Sequence, residues 1–105
     1  MKLAVVGAGS TYTPEVIDGI VRLRHLMTVD DLFLHDTNEQ RLSIVSGLAQ
    51  RMLGRAGHPT RLHKTTSLEE AVEGADAVLI GTALSAAADP DALLARLAAV
   101  GRHGR

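Results

Sequence analysis

The apolar run Leu3-Ala4-Val5-Val6 leads directly into Gly7-Ala8-Gly9-Ser10-Thr11-Tyr12-Thr13-Pro14. A strand that turns on Gly-x-Gly into a helix has the physical make-up of a pyrophosphate site. The first glycine permits the sharp turn. The second lets the backbone come close to phosphates without a Cβ in the way, and the helix N-terminus supplies free N–H groups and a positive dipole end. The third glycine of the usual Gly-x-Gly-x-x-Gly is absent, because Tyr12 stands there. Ser10 and Thr11 offer hydroxyls or N–H groups to a pyrophosphate, or else cap the helix. The plain alternative for Gly7 and Gly9 is a tight strand-to-helix turn that holds nothing.

Strand and helix patterns alternate from there on. Thr13 is expected to cap a first helix with Pro14 and Glu15 in its first turn, both favoured there. Val16, Ile17, Ile20, Val21 and Leu23 form its apolar stripe. Asp30 and Asp31 break the pattern, and Leu32-Phe33-Leu34-His35 is a second apolar run ending at Asp36. Asn38 caps the next helix, with Leu42, Val45, Leu48, Ala49, Met52 and Leu53 along one side; Gly54 and Gly57 end it, and Pro59 blocks resumption. Arg61 to Thr65 reads as a partly exposed third strand. Ser67-Leu68-Glu69-Glu70 has the form of a capping box opening a short helix that stops near Gly74. Ala77-Val78-Leu79-Ile80 is a fourth buried strand, closed by Gly81.

Continuous apolar strands joined by helices predict a parallel sheet covered on both faces. Right-handed crossovers give it the strand order 3-2-1-4. The expected fold is a Rossmann-like three-layer α/β/α half-domain over residues 1–82. Residues 83–105 are a divergent C-terminal helix and tail: Asp89-Pro90-Asp91 starts a helix, and Ala92 to Val100 carries only Arg96 as a polar residue. A helix apolar nearly all round expects a covering partner, and a homodimer through this last helix is one candidate.

Composition narrows the function classes. With 105 residues the chain is long enough for one domain and too short for two. A formal net charge of −1 gives no field that would draw nucleic acid or acidic lipid. Phe33 and Tyr12 are the only aromatic residues, so stacking platforms for bases are effectively missing. No cysteine is present, which removes disulfides and thiolate metal sites. No stretch reads as a signal peptide or a bilayer span, and a soluble cytoplasmic protein is expected.

Asp36 is the second half of the cofactor reading. At the end of the second strand an acidic side chain accepts hydrogen bonds from an adenosine ribose. A phosphate on that ribose would bring like charges roughly 4 Å apart, costing on the order of 1–4 kcal/mol, so NAD is preferred over NADP. The bland alternative is that Asp36 caps the following turn. His25, His58 and His103 are expected in solvated loops or the tail, and His35 is expected to pack or hydrogen-bond locally. No His-x-x-x-His spacing occurs, so no metal-ligand set is visible. Arg41 reads as a solvated helix arginine, although it lies within reach of the adenosine side. Met27 and Met52 read as core filler.

Val5-Val6-Gly7-Ala8-Gly9-Ser10-Thr11-Tyr12-Thr13-Pro14-Glu15 resembles the opening of glycoside hydrolase family 4, the NAD-dependent 6-phospho-β- and 6-phospho-α-glucosidases. In that family Gly-x-Gly-Ser is followed by Tyr-Thr-Pro-Glu, so Tyr12 agrees with it. The resemblance continues through Leu32-Phe33-Leu34-His35-Asp36, through Ile44-Val45 with Ala49-Gln50-Arg51-Met52, and through Glu70-Ala71 to Gly74-Ala75-Asp76. The Tyr-Thr-Pro-Glu form is closer to the 6-phospho-β-glucosidase branch. The resemblance implies a redox-elimination route. NAD⁺ oxidises the sugar at C3, a divalent metal (commonly manganese) steadies the enediolate while a base takes the C2 proton, and the leaving group departs. It implies Gly7, Gly9, Ser10, Thr11, Tyr12 and Asp36 as cofactor-binding residues, and a phosphorylated sugar as substrate only where further sequence completes the site.

The chain also departs from the family. Ala83-Leu84-Ser85-Ala86 stands where an Arg-x-Gly-Gly stretch that helps hold the substrate is usual. The family's metal-binding cysteine and histidine and its catalytic tyrosine have no counterparts here, so no catalytic or metal residue is assigned and the isolated chain is expected to be inactive. A truncated, degraded or frame-shifted gene would give this pattern. Two other readings stay open: a small non-catalytic NAD(H)-binding module, and a half-domain of another NAD-dependent dehydrogenase type.

Overall fold

The computed structural model describes residues 1–80, which form seven elements in strict alternation. Strand β1 (Lys2–Val6) is followed by helix α1 (Thr13–Arg22), strand β2 (Asp31–His35) and helix α2 (Glu39–Ala56). Strand β3 (Arg61–Thr65), helix α3 (Leu68–Val72) and strand β4 (Ala77–Ile80) complete them. All pairings are parallel and the sheet order is β3-β2-β1-β4, as the pattern predicts.

Register and alternation sort the strand residues onto two faces. Leu3 lies beside Leu32 and Ala77, and Val5 beside Leu34 and Leu79, all on one face. That face packs on Val16, Ile17 and Ile20 of α1 and on Leu42, Ala49 and Leu53 of α2, forming one buried core. Each large side chain in it contributes about 1.5–3 kcal/mol by leaving water. Lys2 points to the opposite face, where its Nζ donates to the carbonyls of Glu70 (3.2 Å) and Glu73 at the end of α3. The sheet is therefore covered by two helices on one side and by the short α3 on the other. Met27 is core, as expected; Met52 is half-buried against it.

Helix boundaries depart from expectation at three points. Thr13 is not the N-cap of α1: it is the first helical residue and Tyr12 caps, because the Thr13 hydroxyl is turned back to donate to the Ala8 carbonyl at 2.7 Å. Gly54 does not end α2. The helix runs through it to Ala56, and Gly57 alone takes the left-handed conformation (φ +65°), its N–H and that of His58 closing onto the carbonyls of Gly54 and Leu53. The capping box at α3 is half formed. Ser67 Oγ accepts the Glu70 N–H at 3.2 Å, but the Ser67 N–H goes to Thr65 Oγ1 at 3.0 Å instead of to Glu70.

The strand beginnings are tied by charge. Asp31 accepts from Arg61 Nε (2.8 Å) and Nη2 (2.9 Å) and lies 3.0 Å from His63 Nε2, locking β2 to β3. Arg61 first, then His63, holds the Asp31 carboxyl well below the usual carboxylate range. Among the described residues β3 and β4 are the sheet edges, and β4 shows Val78 and Ile80 to solvent. No helix among the described residues is long and apolar enough to cross a membrane. The closing role of Gly81, the expected last helix with its homodimer contact, and His103 lie outside the described residues.

Candidate dinucleotide site

The turn from β1 to α1 sits at the C-terminal edge of the sheet, where open parallel sheets bind ligands. Gly7 has φ +77°, the left-handed conformation that the first glycine was expected to permit. The Ala8 N–H donates to the His35 carbonyl at 2.7 Å, which hangs the turn on the end of β2. The Ser10 N–H closes back on the Gly7 carbonyl at 3.2 Å. Ser10 then receives the Tyr12 N–H on its Oγ and the Thr13 N–H on its carbonyl, each at 3.2 Å. The Glu15 and Val16 amides of the first turn go to the Tyr12 carbonyl.

Gly9 and Asp36 meet. The Gly9 N–H donates to Asp36 Oδ2 at 2.8 Å, while Asp36 Oδ1 accepts the Asn38 N–H at 2.8 Å. Asn38 in turn accepts the Arg41 N–H at 3.0 Å and caps α2. The turn-capping role of Asp36 and its place beside the glycine turn therefore hold together. A Cβ on Gly9 would fall 2.6 Å from Asp36 Oδ2 and 3.0 Å from the Arg41 Cβ. The second glycine is required by the packing of the chain itself, before any ligand is considered.

From Ala8 to Thr13, every backbone amide except that of Thr11 has an acceptor among the described residues. Thr11 is exposed, so its N–H and hydroxyl are the free donors at the mouth of the turn. Tyr12 has φ −85° and ψ −13°, a backbone any residue adopts, and its side chain rests half-buried against the core. No glycine is needed at that position. Gly7, Gly9, Ser10, Thr11, Tyr12 and Asp36 are all brought to one place at the C-terminal edge of the sheet.

The histidines divide. His25 is exposed as expected. His35 is 6% exposed and packs at the end of β2, with no hydrogen-bond partner for Nδ1 among the described residues. His58 is not fully solvated: its Nδ1 accepts the Thr60 N–H at 3.1 Å, and burial, then the nearby Arg24, push its pKa below the ordinary value. It lines a cavity with Arg24, Met27, Thr28 and Asp30. Among the described residues no three His, Asp or Glu side chains are grouped to hold a metal ion. The contact of Arg41 with the glycine turn was missed at the sequence level; the visible signal was the Asp36-x-Asn38 turn running into a capped helix.

The sequence pattern of the family described as "Family 4 glycosyl hydrolase" matches residues 2–91. The chain belongs to glycosyl hydrolase family 4. Over 80 residues (74% of this chain), it is 39% identical to a 6-phospho-beta-glucosidase of Escherichia coli (strain K12). A probable 6-phospho-beta-glucosidase of Bacillus subtilis (strain 168) is 38% identical over 80 residues. Among solved structures, the Thermotoga maritima 6-phospho-beta glucosidase with manganese, NAD⁺ and glucose-6-phosphate superposes with a TM-score of 0.69. It is 28% identical, over 76% of this chain and 19% of that one. A gut-microorganism 6-phospho-alpha-glucosidase in complex with NAD and Mn²⁺ gives a TM-score of 0.71 at 25% identity, over 75% of this chain and 18% of that one. The chain spans 18% of the length of each of the two curated relatives named above.

Proposed function

We propose that residues 1–82 form the NAD-binding part of a family 4 glycosidase of the 6-phospho-β-glucosidase type, with 83–105 divergent in sequence. The observation that carries this is the 2.8 Å hydrogen bond from the Gly9 N–H to Asp36 Oδ2. It sets the pyrophosphate turn and the ribose acceptor side by side. In this reading Gly7 and Gly9 shape the turn, and the Thr11 N–H and hydroxyl and the Ser10 hydroxyl meet the pyrophosphate. Tyr12 holds the turn against the core, and Asp36 accepts from the adenosine ribose. Each carboxylate oxygen of Asp36 retains a lone pair after its backbone bond, so two ribose hydroxyls find acceptors there. The same negative charge disfavours a ribose phosphate and selects NAD over NADP.

NAD in such an enzyme supplies hydride acceptance and return at the sugar. A manganese ion, carried by the T. maritima and gut-microorganism relatives, does not fit the described residues of this chain, which offer no grouped ligand set. No step through a metal is assigned to it. The chain binds the cofactor, does not turn over substrate by itself, and acts in the cytoplasm. The test is calorimetry of the full chain with NAD⁺, followed by an assay on a phosphorylated aryl-β-glucoside with NAD⁺ and Mn²⁺. Binding without turnover is expected. Turnover overturns the inactivity, and absence of NAD⁺ binding overturns the function.

A further inference from the structure

We infer that Arg41 is a pyrophosphate-binding residue of the site, an inference that rests on the NAD-binding function proposed above. Arg41 lies in the first turn of α2, three residues after the Asn38 cap. A cation there opposes the helix dipole and weakens the helix that carries it. Helix stability gives no reason for it. Its position does: the Arg41 Cβ is 3.0 Å from the point where a Gly9 Cβ would stand, so the side chain starts against the turn that carries the free Thr11 amide.

The residue is exposed, and among the described residues its guanidinium has no hydrogen-bonding or ion-pair partner. Asp36 accepts the Gly9 and Asn38 amides and makes no ion pair with Arg41 among the described residues. An unpaired guanidinium on a side chain that starts beside a glycine turn has the charge and the donor fork for a bridging or terminal phosphate oxygen. The two negative charges of a pyrophosphate then compensate the cation that the helix dipole does not. Gly9 shapes the pyrophosphate turn, so the diphosphate bridge is the group assigned to Arg41, and NADP⁺ tests the ribose side.

The experiment is calorimetry of the full chain and of Arg41→Gln with NAD⁺, ADP, NADP⁺ and adenosine at low and at 1 M salt. The substitution is expected to weaken NAD⁺ and ADP about ten-fold at low salt and to leave adenosine unchanged. The difference should shrink at 1 M salt, where screening acts within about 3 Å. Thermal melting of Arg41→Gln should match or exceed that of the parent, since a misplaced cation is removed. Arg41→Lys should keep part of the affinity. Unchanged NAD⁺ affinity, an equal loss for adenosine, or a loss confined to NADP⁺ overturns the inference while leaving the cofactor site standing. Failure of the parent chain to bind NAD⁺ overturns both.

Discussion

Replacing Gly9 by alanine separates two explanations of the glycine turn, one resting on the ligand and one on the chain. Gly9 is not among the glycines with positive φ, so alanine meets no backbone strain there. Reduced freedom of the unfolded chain would by itself favour alanine by about 0.4–1 kcal/mol. Against this stands the new methyl, 2.6 Å from Asp36 Oδ2, 3.1 Å from Asp36 Cγ and 3.0 Å from the Arg41 Cβ. The carboxylate must swing away and give up the Gly9 N–H. That N–H is then left without its charged acceptor, at a cost of roughly 1.5–3 kcal/mol. Crowding against the Arg41 Cβ, which is fixed to α2, adds on the order of 1 kcal/mol. Sterics win, and Gly9→Ala should destabilise the ligand-free chain by about 2–3 kcal/mol, or roughly 10–20 °C in Tm.

Urea unfolding followed by far-ultraviolet circular dichroism measures this, and a double-mutant cycle with Asp36→Ala assigns the cause. Without the Asp36 carboxylate, two of the three close contacts vanish, so Gly9→Ala should cost about 1 kcal/mol or less in that background. The coupling should then be about 1–2 kcal/mol. Gly7→Ala serves as a control: at φ +77° it should cost about 1–2 kcal/mol whether or not Asp36 is present. If Gly9→Ala costs the same in both backgrounds, or nothing in either, the packing explanation of the second glycine is refuted.

Two further substitutions probe the two ends of the sheet, Arg24→Gln where β2 and β3 begin and Thr13→Val at the glycine turn. Because burial and Arg24 lower the folded-state pKa of His58, the imidazole stays neutral at pH values where the unfolded chain is protonated. Its stabilising contribution is complete above the unfolded value of about 6.5 and is lost as pH falls through the folded value. A nuclear magnetic resonance titration should place the His58 midpoint below 6.5, and Arg24→Gln should raise it part of the way back, burial being the larger cause; a midpoint that stays put removes Arg24 as a cause. Thr13→Val deletes the buried hydroxyl that donates to the Ala8 carbonyl and should cost about 1–2 kcal/mol, with Thr13→Ser losing much less. A loss for Thr13→Ser with none for Thr13→Val would show that the methyl, and not the hydroxyl, holds the turn.

The fold was legible because its determinants are local. The apolar runs Leu3–Val6, Leu32–His35 and Ala77–Ile80, the cap at Asn38 and the stop at Gly57 each act within a few residues, and handed crossovers leave one strand order. The misread boundaries share one cause. Thr13, Gly54 and Ser67 each have the right residue type for the expected role, but a neighbour takes the hydrogen bond that would establish it. The Ala8 carbonyl draws the Thr13 hydroxyl, the Gly57 and His58 amides close α2 beyond Gly54, and Thr65 Oγ1 takes the Ser67 N–H. Such competition depends on where a nearby side chain points, which residue type does not encode. The site was legible as a set of residues and not as a network. Gly9 and Asp36 could be paired by motif, but the bond between them and the approach of Arg41 need the β1–β2 register before they exist.

That register also bears on how strongly the site can bind. Val6 pairs with His35, so the last residues of β1 and β2 deliver Gly7 and Asp36 to the same level of the sheet edge. The His35 carbonyl takes the Ala8 amide and the next residue's carboxylate takes the Gly9 amide, so two consecutive donors of the turn are fixed by the last residue of β2 and the one that follows it. A turn held in this way has little conformational freedom left to lose when a ligand arrives, and lowering that loss raises affinity without adding a contact. The same economy leaves few donors for the ligand, because five of the six amides from Ala8 to Thr13 are already used. Affinity for a pyrophosphate must then come from the Thr11 amide, the helix dipole and whatever positive charge stands beside the turn. In the proposed site Arg41, whose Cβ lies against the turn, would supply that charge, and its substitution tests how much it contributes.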